Sequence, residues 1–200
     1  MKIIVVGGTG TIGKAVASAL QARKHNVIRV GGKSGDQQVN IADATSIRAL
    51  FEKTGKFDAL VSAVGKVHFG DFAKLTEAEV MLGLANKLMG QVNLVLIGRD
   101  FVNDGGSFTL TSGVLNHDPI RYGACASMVN GALDSFVQAA AFEMRPGLRL
   151  NVVSPGLLEE SLSVFGDYFP GHETVPGARV AKAYIKSVEG HLTGQVFRVL

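Results

Sequence analysis

Two hydrophobic patterns alternate along this chain. Short runs of consecutive aliphatic residues are separated by longer stretches in which apolar residues recur every three or four positions. Lys2-Ile3-Ile4-Val5-Val6 shows no alternation with polar residues, which predicts a strand covered on both faces, as in the middle of a parallel sheet. Gly7-Gly8-Thr9-Gly10-Thr11-Ile12-Gly13 follows, with glycine at every third position from Gly7. Ala15, Val16, Ala19 and Leu20 then recur at helical spacing. Further strands are predicted at Asn26–Val30, Gln38–Ile41, Phe57–Ser62, Ser107–Thr111, Leu148–Val153 and Gln195–Leu200. Between them lie helical patterns. One carries Ile47, Leu50 and Phe51, with Thr45 or Asp43 as its cap. One opens with the capping-box pair Thr76 and Glu79 and runs, with a break, to about Phe101. A third, alanine-rich, spans Tyr122 to Met144 and ends at Pro146-Gly147. A fourth lies near Ala178–Val188.

Strands alternating with helices predict an α/β fold, a Rossmann-type doubly wound parallel sheet of about seven strands with helices on both faces. No repeat or linker interrupts the 200 residues, which suit a single domain. In such a sheet ligands bind beyond the carboxyl ends of the strands. The glycine turn Gly7–Gly13, the segments Gly31–Ser34 and Ser62–Gly65, Ser112, and Pro155-Gly156 all fall at those ends. A glycine turn between a buried strand and a helix lets backbone approach a ligand closely. The free N–H groups of the helix start favour phosphate. Without that context the same glycines are only a tight turn.

Composition narrows the function classes. A net charge of +3 with no basic run gives no reason to expect nucleic acid. Cys125 is the only cysteine, so no intramolecular disulfide is expected, which fits a reducing, cytoplasmic setting. The apolar N-terminal run is too short to span a membrane and lacks the marks of a signal peptide. His68, His117 and His172 show no metal-ligand spacing, so no metal is expected. Cys125 reads as a small buried hydrophobe, and Asp118, Glu159 and Glu160 as solvated carboxylates.

Together these segments resemble the short-chain dehydrogenase/reductase family over nearly the whole chain. The glycine turn is similar to the family's cofactor turn, with Thr11 where many members have glycine. Ser62-Ala63-Val64-Gly65 resembles the family's N-N-A-G. Asn40-Ile41 stands where members have Asp-Val or Asp-Leu beside the adenine. Thr111-Ser112 resembles the strand end bearing the catalytic serine, and Tyr122 follows ten residues later as the candidate catalytic tyrosine. Ser154-Pro155-Gly156 resembles the segment against the nicotinamide, and Thr193-Gly194-Gln195-Val196 the last strand. The resemblance implies a cofactor site formed by Gly7, Thr9, Gly10, Thr11, Ile12, Gly13, Gly32, Lys33, Ser34, Asn40, Ile41, Ser62, Ala63, Val64, Gly65, Pro155 and Gly156.

The chain departs from the family at one motif. Y-x-x-x-K becomes Tyr122-Gly123-Ala124-Cys125-Ala126, so Ala126 replaces the lysine. In the family that lysine lowers the tyrosine pKa and holds the nicotinamide ribose. Lys87, three residues before Gly90, takes the usual asparagine position of the N-x-x-G motif. It is either a solvated helix lysine or a substitute charge in the cleft. Tyr122 is either a packing residue at a helix start or the proton donor. The expected catalytic set is therefore Ser112, Tyr122 and Lys87. Without the lysine, a tyrosine donor favours carbonyl reduction over alcohol oxidation at neutral pH, because the phenol and not the phenolate is abundant.

At the end of the second strand, Gly31-Gly32-Lys33-Ser34 offers no carboxylate to a ribose 2′-OH and two groups suited to a 2′-phosphate. NADP (NADPH) is therefore expected ahead of NAD. Two function classes stand at this point. One is an NADPH-dependent reductase of a small carbonyl compound. The other is a nucleotide-binding protein of the same fold with little catalysis and a sensing or scaffolding role. The family's corresponding helices pair between subunits, which implies a homodimer or homotetramer built on Val80–Phe101 and Tyr122–Met144.

Overall fold

The computed structural model describes residues 1–200. Seven parallel strands form one sheet: β1 (Lys2–Val6), β2 (Asn26–Gly31), β3 (Gln37–Gln38), β4 (Phe57–Ser62), β5 (Val102–Thr111), β6 (Arg149–Pro155) and, at the edge, β9 (Val196–Val199). Two short strands, β7 (Leu157–Leu158) and β8 (Thr174–Val175), pair separately. The order in the large sheet is β3-β2-β1-β4-β5-β6-β9. The helices are α1 (Thr11–Ala22), α2 (Ala44–Thr54), α3 (Glu77–Gly83), α4 (Met89–Gly98), α5 (Ala124–Ala140), α6 (Leu162–Phe165) and α7 (Gly177–Glu189).

The unalternating aliphatic runs are buried for the reason the pattern implies. Ile4 and Val6 face one layer, with Phe51, Leu60, Phe108 and Leu133. Ile3 and Val5 face the other, with Leu20, Val61 and Tyr184. Successive strand residues point to opposite faces, so a strand covered by helices on both sides must be apolar throughout. β1 pairs with β2 and β4, Ile4 standing opposite Ile28 and Leu60. The chain runs outward from β1 through β2 to β3 and then returns to β4 on the other side of β1. This reversal opens a crevice at the carboxyl ends of β1 and β4, where doubly wound folds take ligands.

Several expected boundaries shift. The third strand is only Gln37–Gln38; Val39 and Ile41 are buried beyond its end, the Val39 N–H still donating to the Gly31 carbonyl of β2. β5 starts earlier, at Val102, because its register against β4 jumps from Phe57↔Val102 to Ala59↔Ser107. The long helix is Ala124–Ala140 and does not include Tyr122, whose φ of +67° lies in the left-handed region. Asp43, rather than Thr45, caps α2, its side chain accepting from the Thr45 N–H. The capping box of Thr76 and Glu79 is present.

The expected break after Thr76 is a π-helical segment, Leu84–Leu88, between α3 and α4. By length and composition the 22-residue run Glu77–Gly98, with an internal stretch of mean hydropathy 1.5, could cross a bilayer. In this fold its second half packs inward through Gly90, Val92, Leu94, Val95 and Gly98. Gln91 locks it in place: its amide accepts from the Thr111 N–H at 2.9 Å and donates to the Thr111 carbonyl at 2.8 Å. That pairing replaces a missing ladder partner with a side chain and fixes the end of β5 against the helix.

Candidate active site

The turn after β1 is built by close packing. A methyl group on Gly13 would stand 1.9 Å from the Gly7 carbonyl oxygen, so only glycine lets the first turn of α1 sit against the end of β1. The first bond within α1 runs from the Lys14 N–H to the Gly10 carbonyl. The N–H groups of Thr11, Ile12 and Gly13 precede it, no side chain caps the helix, and its first turn holds no acidic residue. Such a helix start favours an anion.

A cavity of about 640 Å³ lies along this turn. Of the expected cofactor residues, Gly7, Thr9, Gly10, Gly32, Lys33, Ser34, Asn40, Ile41, Ala63, Val64 and Gly65 line it. Lys33 and Ser34 are exposed at its edge. Asp36, the next carboxylate along, accepts from the Arg29 N–H at 2.8 Å and pairs with the Arg29 guanidinium at 3.6 Å. A smaller cavity of about 210 Å³ shares Ala63, Val64 and Gly65 with the first and adds Ile12, Lys87, Thr111, Ser112 and Pro155. The two form one groove across the ends of β1 and β4.

Four expected cofactor residues lie elsewhere. Ser62 is fully buried below the groove, and its carbonyl accepts from Thr111 Oγ1. Gly13 serves helix packing, Thr11 is exposed at the helix start, and the Gly156 N–H donates to the Val199 carbonyl. Val39, Lys66 and Asn86 line the groove without having been singled out for it. Asn86 also accepts from the Lys66 N–H at 2.8 Å, which holds the loop after β4.

At the small end, Ser112 is 3% exposed and its hydroxyl oxygen is buried without a hydrogen-bond partner. Lys87 projects from the π-helical segment into the same cavity. Its Nζ donates to the Asn130 Oδ1 at 2.7 Å and to the Ser112 carbonyl at 2.9 Å. Burial pulls this ammonium down to about 8, against a smaller opposing pull from the charge of Asp134. Gly65, at φ +132°, makes the approach possible: a methyl group there would lie 2.4 Å from the Lys87 Cγ.

The structure places Tyr122 outside the lining of this cavity, apart from Ser112 and Lys87. Because α5 begins only at Ala124, Tyr122 sits in a left-handed turn before it. Its ring meets Tyr168 edge-on at 6.2 Å and lies under the Arg121 guanidinium at 4.8 Å. It lines a separate cavity of about 590 Å³ with Arg121, Tyr168 and His172. Ala126 is buried beneath Val114 and Leu115, not exposed in the groove. The residue of α5 that reaches the polar site is Asn130, one helical turn beyond Ala126. No pattern in the sequence marks it, since the contact spans 43 positions.

Residues 11–174 match the model of a family described as enoyl-(acyl carrier protein) reductase. The chain belongs to the short-chain dehydrogenase/reductase family. A solved Listeria innocua protein is 46% identical, with all of both chains covered and a TM-score of 0.98. A small-chain dehydrogenase solved in complex with NADPH is 25% identical, covers 100% of this chain and 96% of its own, and has a TM-score of 0.88. Tropinone reductase-like 3 of Erythroxylum coca is 26% identical over 86% of this chain and 66% of its own. This is a family of oxidoreductases working with a nicotinamide dinucleotide. The unpaired N–H groups at the start of α1, the glycine-lined groove and the unpartnered Ser112 hydroxyl fit such a cofactor.

Proposed function

We propose that this short-chain dehydrogenase/reductase member is an NADPH-dependent reductase of a small carbonyl compound. One observation carries this reading: the unpartnered Ser112 hydroxyl and the Lys87 ammonium belong to the same cavity at the end of the dinucleotide groove. The start of α1 would hold the pyrophosphate, and Lys33 with Ser34 the 2′-phosphate, which no free carboxylate at that edge repels. The nicotinamide, when bound, supplies hydride.

The chain's own residues handle the oxygen. The Ser112 hydroxyl donates to the substrate carbonyl and fixes its direction. The Lys87 ammonium stabilises the negative charge that develops there and gives up one proton to form the alcohol O–H. The neutral amine then takes a proton from water through the open groove. A donor held at about 8 is well matched to this task near neutral pH, since it is charged at rest yet yields its proton readily.

A second reading, dinucleotide binding with little turnover, is favoured by the absence of any tyrosine from the cavity. NADPH consumption at 340 nm against a panel of small aldehydes and ketones separates the two. Turnover that falls about 100-fold in Ser112→Ala, with NADPH affinity unchanged, is expected for the reductase. NADPH that binds by calorimetry but is consumed with no member of the panel supports the second reading.

A further inference from the structure

The lysine in this site depends on a residue that neither the motif nor the groove lining singles out. Asn130 is 2% exposed, on the face of α5 turned toward the end of β5. Its side-chain oxygen and the Ser112 carbonyl accept two of the three ammonium protons of Lys87. We propose that Asn130 is a positioning residue, whose neutral amide aims the third N–H of Lys87 at the substrate oxygen without tying up its charge. The proposal rests on the reductase reading for its catalytic consequence, but the positioning itself is independent of turnover.

The choice of an amide matters because a carboxylate stands one turn further along the same helix. Asp134 is also buried, yet it is engaged elsewhere: its Oδ2 accepts from Asn116 at 2.9 Å and lies 3.4 Å from the His117 Nε2. It reaches Lys87 only as a charge at a distance. Other groups around the lysine are Lys66, exposed on the loop after β4, and Tyr184, whose hydroxyl is held by Thr111 at 2.5 Å on the far side of the strand. No carboxylate hydrogen-bonds the ammonium. An aspartate at position 130 would form a close ion pair and hold the proton on Lys87. An apolar residue there would remove an acceptor from a desolvated ammonium and make it shed its proton earlier. Asn130 therefore lets the lysine be both oriented and able to release a proton.

The test uses the full-length protein with lysine 13C-labelled at the ε carbon. The Lys87 signal is assigned by its absence in Lys87→Arg, and its titration is followed by NMR in the wild type, Asn130→Asp and Asn130→Leu. The midpoint should rise by about one pH unit or more in Asn130→Asp and fall in Asn130→Leu. With NADPH and a substrate that the wild type reduces, the alkaline limb of kcat should move in the same direction in each variant. KM should change less than twofold, and Asn130→Asp should retain more activity at alkaline pH than Asn130→Leu. A purely structural role lowers thermal stability in both variants but cannot move the two midpoints in opposite directions. If Asn130→Leu does not fold, the comparison of Asn130→Asp with wild type still decides. An unchanged Lys87 midpoint in Asn130→Asp overturns the proposal. Shifted midpoints without turnover on any carbonyl uphold the positioning and refute the reductase reading.

Discussion

Replacing Lys87 with methionine should stabilise the protein at neutral pH and lose that advantage as pH rises. Burial lowers the ammonium from an ordinary 10.5 to about 8. The folded state therefore binds this proton more weakly than the unfolded chain does. At about 1.36 kcal/mol per pH unit, that downward shift corresponds to about 3 kcal/mol. The lysine is only half-buried, so this figure is a ceiling. Below pH 8 both states are charged, and the folded protein bears the whole cost. Between pH 8 and 10.5 the folded lysine is neutral while the unfolded one is still charged, so wild-type stability climbs. Methionine carries no charge at any pH. It also leaves the Asn130 Oδ1 and the Ser112 carbonyl without their donor, costing about 1 kcal/mol each, independent of pH. The net gain at pH 7 is about 1 kcal/mol. The pH dependence is the sharper quantity: the difference between variant and wild type should shift by about 2 kcal/mol or more from pH 7 to pH 10, in favour of the wild type. The chain has no tryptophan, so urea unfolding is best followed by far-UV circular dichroism at each pH. Every other titrating group is common to both proteins and cancels. A difference that is flat from pH 7 to pH 10 would refute the claim that this lysine is desolvated in the folded state.

Three further outcomes are expected. Lys33→Ala should erode the preference for NADPH over NADH about tenfold by titration calorimetry, since it removes one charge facing the 2′-phosphate; equal affinities in the parent would count against NADPH as the cofactor. Gly13→Ala should lower NADPH affinity more than 100-fold and reduce stability, because its methyl group must displace the Gly7 carbonyl at the phosphate turn; unimpaired binding would show that the turn is not the cofactor cradle. The exposed apolar side chains Met81, Leu82, Met89 and Leu96 on α3 and α4, with Met128 on α5, predict a two-fold dimer through these helices. Light scattering should give at least twice the 21.0 kDa chain mass, and Leu96→Glu should reduce it to one chain.

The sequence by itself determined the layered architecture and the place of the glycine-lined groove. A strand between two helical layers is predominantly apolar, without polar alternation, so β1, β4 and β6 announce themselves by their aliphatic runs. A helix opening such as Thr76–Glu79 carries its own signature because its hydrogen bonds are local. The glycines of the phosphate turn are likewise a local necessity. The small end of the groove, with Ser112 and Lys87, was not legible in this way. The spacing of Ser112 and Tyr122 agreed with the family, but a left-handed turn and a helix that starts two residues later carry the tyrosine to another cavity. Whether Lys87 faces water or the cleft turned on the π-helical segment that presents it and on the bare backbone of Gly65 that lets it pass. Its partner Asn130 lies on a different helix across the end of β5. Period and propensity report which face of an element is buried. Which residues meet there is decided by how the elements pack, and only the tertiary structure holds that information.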